Sequence, residues 1–166
     1  MILVRGSKKC YNEWKPMLHP AFSDQLVQMI LAAILSGAIG IERLITDKPA
    51  GLRTCILIGT SSCLFTMLSM HGFERAAAFD PSRVAAQIVV GVGFLGGGSL
   101  IHAKHHVVGL TTAASIWTVS AIGMAVGVGM YAVAIAFTLL AVATLWTLAP
   151  VSNWLEKNYH LGKRRR

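Results

Sequence analysis

The sequence predicts an all-α membrane protein: a polytopic bundle of five transmembrane helices packed through glycine-rich seams. Three observations carry this. Charged residues make up 13% of the chain against 54% hydrophobic residues, about half the charged share of an ordinary soluble domain. The charges are also gathered. None lies between Val84 and Ile101, and no Asp, Glu, Lys or Arg lies between His105 and Leu155. The apolar runs left between them are near the ~20 residues that a helix needs to cross ~30 Å of hydrocarbon. At 166 residues the chain has room for one compact domain.

The first 24 residues read as an extension outside the membrane domain. Their apolar start is too short for a signal peptide, and no small-residue cleavage site comes after it. They differ enough in character from the rest of the chain that translation is expected to begin at Met17. The membrane domain is predicted over 25–149, with spans at about 25–41, 53–70, 84–101, 109–128 and 131–149. Asp80-Pro81 suits the start of the third span, because Asp caps helices and Pro fits the first helical position. The junction GVGMY between the last two spans predicts a tight turn. A single kinked helix there would be too long for one bilayer. Pro150 reads as a stop signal, leaving 150–166 as a basic tail.

Five spans put the termini on opposite sides. One side holds Arg5, Lys8, Lys9, Lys15, Arg75 and Arg83. The other holds Arg43, Lys48, Arg53, Lys104, Lys157, Lys163 and Arg164 to Arg166, so it is expected to be cytoplasmic. The net charge of +8 therefore sets orientation and gives no reason to expect nucleic acid. The terminal KRRR reads as a solvated cytoplasmic end that sets topology, with contact to anionic lipid as the alternative. Of the three cysteines, Cys55 and Cys63 lie ~12 Å apart along one helix and cannot be bridged.

Gly91, Gly93 and Gly96 match G-x-G-x-x-G, the spacing of a dinucleotide-binding loop. That motif needs a strand before it and an acidic residue about 20 positions on, where Ile116, Trp117 and Thr118 stand. A phosphate-binding P-loop needs Lys before Ser99, where Gly98 stands. Packing explains the glycines better, since small residues let membrane helices approach closely. Gly93 and Gly97 are spaced G-x-x-x-G, as are Gly123 and Gly127, with Ser36 and Gly40 as a small-x-x-x-small pair. The competing reading is local unwinding at Gly96-Gly97-Gly98, which would expose carbonyls to an ion.

The remaining polar residues are few. Glu42, at the end of the first span, is placed to pair with Arg53 across a short loop, or else Glu42, Arg43 and Arg53 are interfacial anchors. Arg83 and Gln87 share a helix face. Gln87 is either a functional intramembrane group or a helix–helix hydrogen-bond donor. Thr111, Thr112 and Ser115 enter the fourth span as small polar packers. His102 and His106 are spaced i,i+4, a metal pair if helical, but neither Cys, Asp nor Glu completes a site with them or His105. No metal, no cofactor and no catalytic constellation is expected.

Three segments in order, IERLITDKPAGLRT, DPSRVAAQIVVGVGFLGGGSL and VVGLTTAASIWTVSAIGMAVGVG, resemble the MgtC/SapB family of bacterial inner-membrane proteins. The likeness covers roughly Gln25 to Leu148. Glu42, Arg43, Gly51, Leu52, Arg53 and Thr54 match the first motif. Asp80, Arg83, Gln87, Gly91, Gly93, Phe94, Leu95, Gly96 and Gly98 match the second, and Gly109, Leu110, Thr112, Ala113, Ala114 and Trp117 the third. The sequence departs from the pattern at Val90, usually Ser, at Gly97, usually Ala, and at Thr111, where some virulence-associated members carry Asn. Longer members carry a soluble C-terminal domain, and only VSNWLEKNYHLGKRRR stands after the last span here. The resemblance implies five spans with a cytoplasmic C-terminus, and a role in adaptation to low magnesium without magnesium transport by the protein itself. It also implies a membrane partner, an ATP synthase or a cation-transport ATPase, with self-association of the small bundle as a further expectation. On that reading the third and fourth spans form the central seam, and Arg83 and Gln87 fix its register.

Overall fold

The computed structural model describes residues 22–71, 80–103 and 106–163. The extension before Phe22, with Met17 and Cys10, lies outside the described residues, as do Arg75, Lys104, His105 and the terminal arginines. The elements are α1 (Phe22–Ile45), α2 (Leu52–His71), α3 (Ser82–Gly98), the short strands β1 (Ile101–Ala103) and β2 (His106–Val108), α4 (Leu110–Gly127) and α5 (Tyr131–Lys163). Helices α1, α2, α4 and the Tyr131–Leu148 part of α5 are long and apolar enough to cross a membrane. Helix α3 is apolar and has 17 residues, about 25 Å by helical rise, at the lower end of what spans hydrocarbon.

The core contains Ile39, Val119, Ile122 and Val126, fully buried as in a soluble bundle, but many small polar residues share it and many large apolar ones face outward. Ser36, Thr66 and Ser120 are buried, while Ile34, Val90, Phe94 and Leu139 are exposed. In lipid the tails already solvate large apolar side chains, so small and hydroxylated residues take the helix contacts. The buried hydroxyls are largely spent within the bundle. Thr66 Oγ1 donates to the Ser62 carbonyl at 2.8 Å and Thr138 Oγ1 to that of Ala134 at 2.8 Å. The hydroxyls of Ser62 and Ser120 bond each other across α2 and α4 at 2.8 Å.

Helix α2 is the hub, packed against both α1 and α4. Glycine decides how close these helices come. A Cβ on Gly123 would lie 2.1 Å from the Gly59 carbonyl oxygen, and one on Gly59 would strike the Ser36 side chain. A Cβ on Gly127 would lie 2.8 Å from the Cys63 oxygen, and one on Gly40 2.7 Å from the Leu52 Cα. The Gly123–Gly127 and Ser36–Gly40 pairs are thus packing seams, as their spacing suggests. The central seam is nevertheless α1–α2–α4, not the third span against the fourth. Helix α3 docks on the side of α4 through Ile88 and Val92, which cluster with Ile116 and Ala50.

The junction after α4 is a turn at Val128–Met130, with Gly129 at φ 82° and Met130 N–H donating to the Ala125 oxygen at 2.8 Å. Two spans result, not one kinked helix. Three boundaries differ from the sequence reading. Helix α5 continues through Pro150 to Lys163. Proline removes one i→i−4 hydrogen bond, yet a helix passes through it when the residues beyond still gain by continuing. Helix α1 runs on to Ile45, ending with Asp47 at φ 55° and Lys48 N–H bonded to the Arg43 oxygen at 2.9 Å, a closure that satisfies a terminal carbonyl. Helix α3 stops at Gly98, and an antiparallel hairpin pairs Ile101 with Val108 and Ala103 with His106.

Candidate functional site

Two places concentrate the residues singled out in the sequence. The first is the end of the bundle where α1 closes onto α2. Glu42 and Arg43 are both buried. They pair with each other: Arg43 Nη2 donates to Glu42 Oε1 at 2.8 Å, and Nε donates to Oε2. Arg53 is exposed, so the expected Glu42–Arg53 bridge is replaced by a fork between adjacent residues. The reason is local. Burial selects for a charge-neutral unit, and the guanidinium offers a planar two-point match to a carboxylate. Arg43 Nη1 is buried without a hydrogen-bond partner among the described residues. Gly51, on the loop, is not sterically required: a Cβ there would meet only Leu44, at 4.0 Å.

The second place is α3. Its start is fixed by Asp80, whose Oδ1 accepts from the Ser82 hydroxyl at 2.6 Å and the Ser82 N–H at 2.9 Å. These bonds, the hydroxyl's foremost, hold the Asp80 carboxyl below its usual pKa. Ser69 on α2 donates to the Pro81 oxygen at 2.5 Å and ties α3 to the hub. The helix then presents only one narrow stripe inward: Ile88, Val92 and Gly96 are buried, while Arg83, Gln87, Gly91, Gly93, Gly97 and Gly98 are exposed. A Cβ on Gly91, Gly97 or Gly98 would meet nothing within 4 Å. On Gly93 it would reach only Trp117 Nε1, at 3.9 Å, and on Gly96 it would touch Ala113 in ordinary contact. Arg83 and Gln87 therefore do not set the α3–α4 register. In helical phase Gln87 lies about 100° and Arg83 about 140° from Ile88, on the side away from Val92 and Gly96.

The glycine run is not unwound. Helix α3 is regular to Gly98, and the carbonyls of Gly96 and Gly97 accept from Ser99 and Leu100 N–H at 3.1 Å. Those oxygens are spent on the backbone and are not held out to an ion.

On α4, Thr112 and Ser115 are buried, and Ser115 Oγ donates to the Thr111 oxygen at 2.8 Å. Thr111 is exposed and Trp117 half-exposed. Gly109 stands before α4 at φ 103°, where a Cβ would also lie 2.8 Å from the Ser99 oxygen, so only glycine fits this turn. His102 and His106 lie on paired strands, so the helical i,i+4 metal spacing does not arise. Among the described residues no group of three His, Cys, Asp or Glu could hold a metal.

Sequence reasoning missed Gln28. It is buried on α1, and its Nε2 donates to the Tyr131 hydroxyl on α5 at 2.8 Å. It also missed Gly59, the residue on which the Ser36 and Gly123 approaches converge. A lone glycine in an apolar run carries no spacing signal. A glutamine inside an apolar helix does carry one, being costly in lipid.

With this geometry in place, comparison with known proteins decides the family. The sequence profile of the MgtC family matches residues 29–154. The chain belongs to the MgtC family. It is 45% identical to YhiD of Escherichia coli K12 over 145 residues, 84% of this chain and 67% of the relative. It is 38% identical to SapB of Bacillus subtilis, covering 77% of this chain and 60% of that one. It is 36% identical to MgtC of Brucella abortus, covering 86% and 57%. The chain thus spans 57% to 67% of the length of these MgtC-family relatives. The name of the E. coli relative assigns it provisionally to magnesium transport. No solved structure matches. Family and fold together make this MgtC-family chain a multi-pass membrane protein of bacterial type.

Proposed function

We propose that this MgtC-family protein is a non-catalytic regulator that serves adaptation to low magnesium and related stress. It acts by docking on a membrane ATPase such as the F-type ATP synthase, with its C-terminus in the cytoplasm. The observation that carries the docking reading is the outer face of α3. Ala86, Val90, Gly93 and Gly97 follow one another at 4-3-4 spacing, so they share one face. All four are exposed. Gly93 and Gly97 would let the backbone of a foreign helix approach closely, and the chain's own helices leave that approach open. The cytoplasmic placement rests on the Lys and Arg bias. The ion-pathway alternative has less support, because the Gly96 and Gly97 carbonyls are spent within α3 and its cap.

The test is ATP-driven proton pumping in inverted bacterial membrane vesicles, with equal ATP synthase, with and without this protein. Reduced pumping is expected, with no leak of an imposed pH gradient, and Gly97→Leu is expected to restore pumping. Unchanged pumping overturns the ATP synthase as partner. A gradient that collapses without ATP overturns the regulator and favours transport.

A further inference from the structure

A second face of α3 lies about 100° from the first, offset by one residue, and it forms one wall of a groove between α2 and α3. Two stretches of this groove have volumes of about 480 Å³ and 550 Å³. Val84, Gln87 and Gly91 line the first stretch, opposite Ser61 of α2, and Phe94 and Gly98 line the second. These five α3 residues are spaced 3-4-3-4. That is the a/d repeat of a helix that packs against another helix along its whole length.

We propose that this groove is the self-association surface of the protein, and that its occupant is α3 of a second copy of the chain. The proposal does not depend on the docking of an ATPase at the outer face.

Three features of the seam favour a second copy over an unrelated helix. Two copies in one membrane share their orientation, so a two-fold pair has its axis along the membrane normal and brings like residues together. A charged residue on such a seam would repel its own counterpart, and none lies between Val84 and Gly98.

Gln87 is exposed on this wall and makes no hydrogen bond to any described residue. An amide left unsatisfied in hydrocarbon is costly. An amide is also its own complement, with a donor and an acceptor, so two copies of Gln87 satisfy each other at the axis.

Phe94 is 82% exposed. In a parallel pair the hole that receives a d-position knob is made by the a, d, e and next a residues of the facing helix. Here those are Gly91, Phe94, Leu95 and Gly98 of the second copy. The two glycines open the hole, and the chain carries knob and hole on the same face.

The experiment is disulfide cross-linking of the full chain in native membranes, on a Cys10→Ser background, because Cys55 and Cys63 are buried. Gly91→Cys on the seam is compared with Val90→Cys on the outer face. A dimer band several-fold stronger from Gly91→Cys supports the proposal. No dimer band, equal bands, or a stronger band from Val90→Cys overturns it, as does a Gly91→Cys product that joins the chain to a different protein. The independent measurement is mass determination in lipid nanodiscs. Gly91→Leu is chosen because its added Cβ meets no atom of its own chain within 4 Å. It is expected to convert dimer to monomer, and a variant that stays dimeric overturns the proposal. Neither readout involves proton pumping, so failure here leaves the regulatory reading standing, and failure of that reading leaves this one.

Discussion

Gly93-x-x-x-Gly97 and Gly123-x-x-x-Gly127 are indistinguishable as motifs, yet the fold uses them in opposite ways. The second pair is sealed against α2, with Gly123 set against the Gly59 carbonyl and Gly127 against Cys63 and Thr66. The first is open: Gly97 has nothing near it, and Gly93 only the edge of Trp117. A close-approach motif says that some helix can come near. Which helix does so depends on the rotation of the motif toward its neighbours. On α3 the inward phase is taken by Ile88 and Val92, and the glycines are left outside.

The sharpest way to break this comparison is to place the same side chain at both motifs. Gly123→Leu drives a side chain into backbone, which cannot give way. The expected loss is above about 4 kcal/mol, in the range of severe core disruption, read as failure to recover folded protein from mild detergent. Gly97→Leu is expected to fold with a melting temperature within a few degrees of the parent, since surface changes stay within about 0.5 kcal/mol. Equal damage at both positions would mean that α3 is packed through its glycines after all.

The same pair shows what was legible in the sequence. The helix count, the turn at Gly129 and the small-residue spacings of α1 and α4 followed from composition and periodicity, because hydrocarbon thickness and backbone satisfaction leave a chain few choices. The pairing of helices did not follow. A heptad-like pattern on α3 has no single apolar face, since in lipid every face is apolar, and the phase that points inward is set by tertiary contacts. Glu42 illustrates the same limit. The sequence showed an acid near two arginines, but burial chose its neighbour Arg43 over Arg53, which lies across a loop.

That choice provides a second test, weaker than the glycine one. Glu42→Gln leaves Arg43 as a buried, uncompensated cation, at a cost of roughly 3 kcal/mol. Arg53→Gln, at an exposed position, is expected to change little. The double change Glu42→Met with Arg43→Met is expected to recover much of the loss, because an apolar pair of similar volume removes the unpaired charge. Thermal unfolding of the three variants in one detergent measures all of this. A Glu42→Gln protein as stable as the parent would show that Arg43 reaches water at the membrane surface.

The smallest expected effect concerns how α3 is held. The hub is closed by backbone contact, whereas α3 begins on the Asp80 cap and the Ser69–Pro81 hydrogen bond. The Ser82 hydroxyl and N–H bonds lower the Asp80 pKa in the folded chain. The contribution of the cap is therefore present above the ordinary carboxylate pKa and is lost as pH falls through the lowered one. Acid should loosen the first turn of α3 and leave the α2–α4 seam unchanged. In micelles, the Ser82 amide resonance should titrate with a midpoint below the ordinary carboxylate range, the Ile122 amide should not move over the same range, and Asp80→Asn should abolish the Ser82 titration. A seam amide that moved together with Ser82 would mean that α3 and the hub form one cooperative unit, and the contrast between the two glycine pairs would then be one of surface chemistry alone.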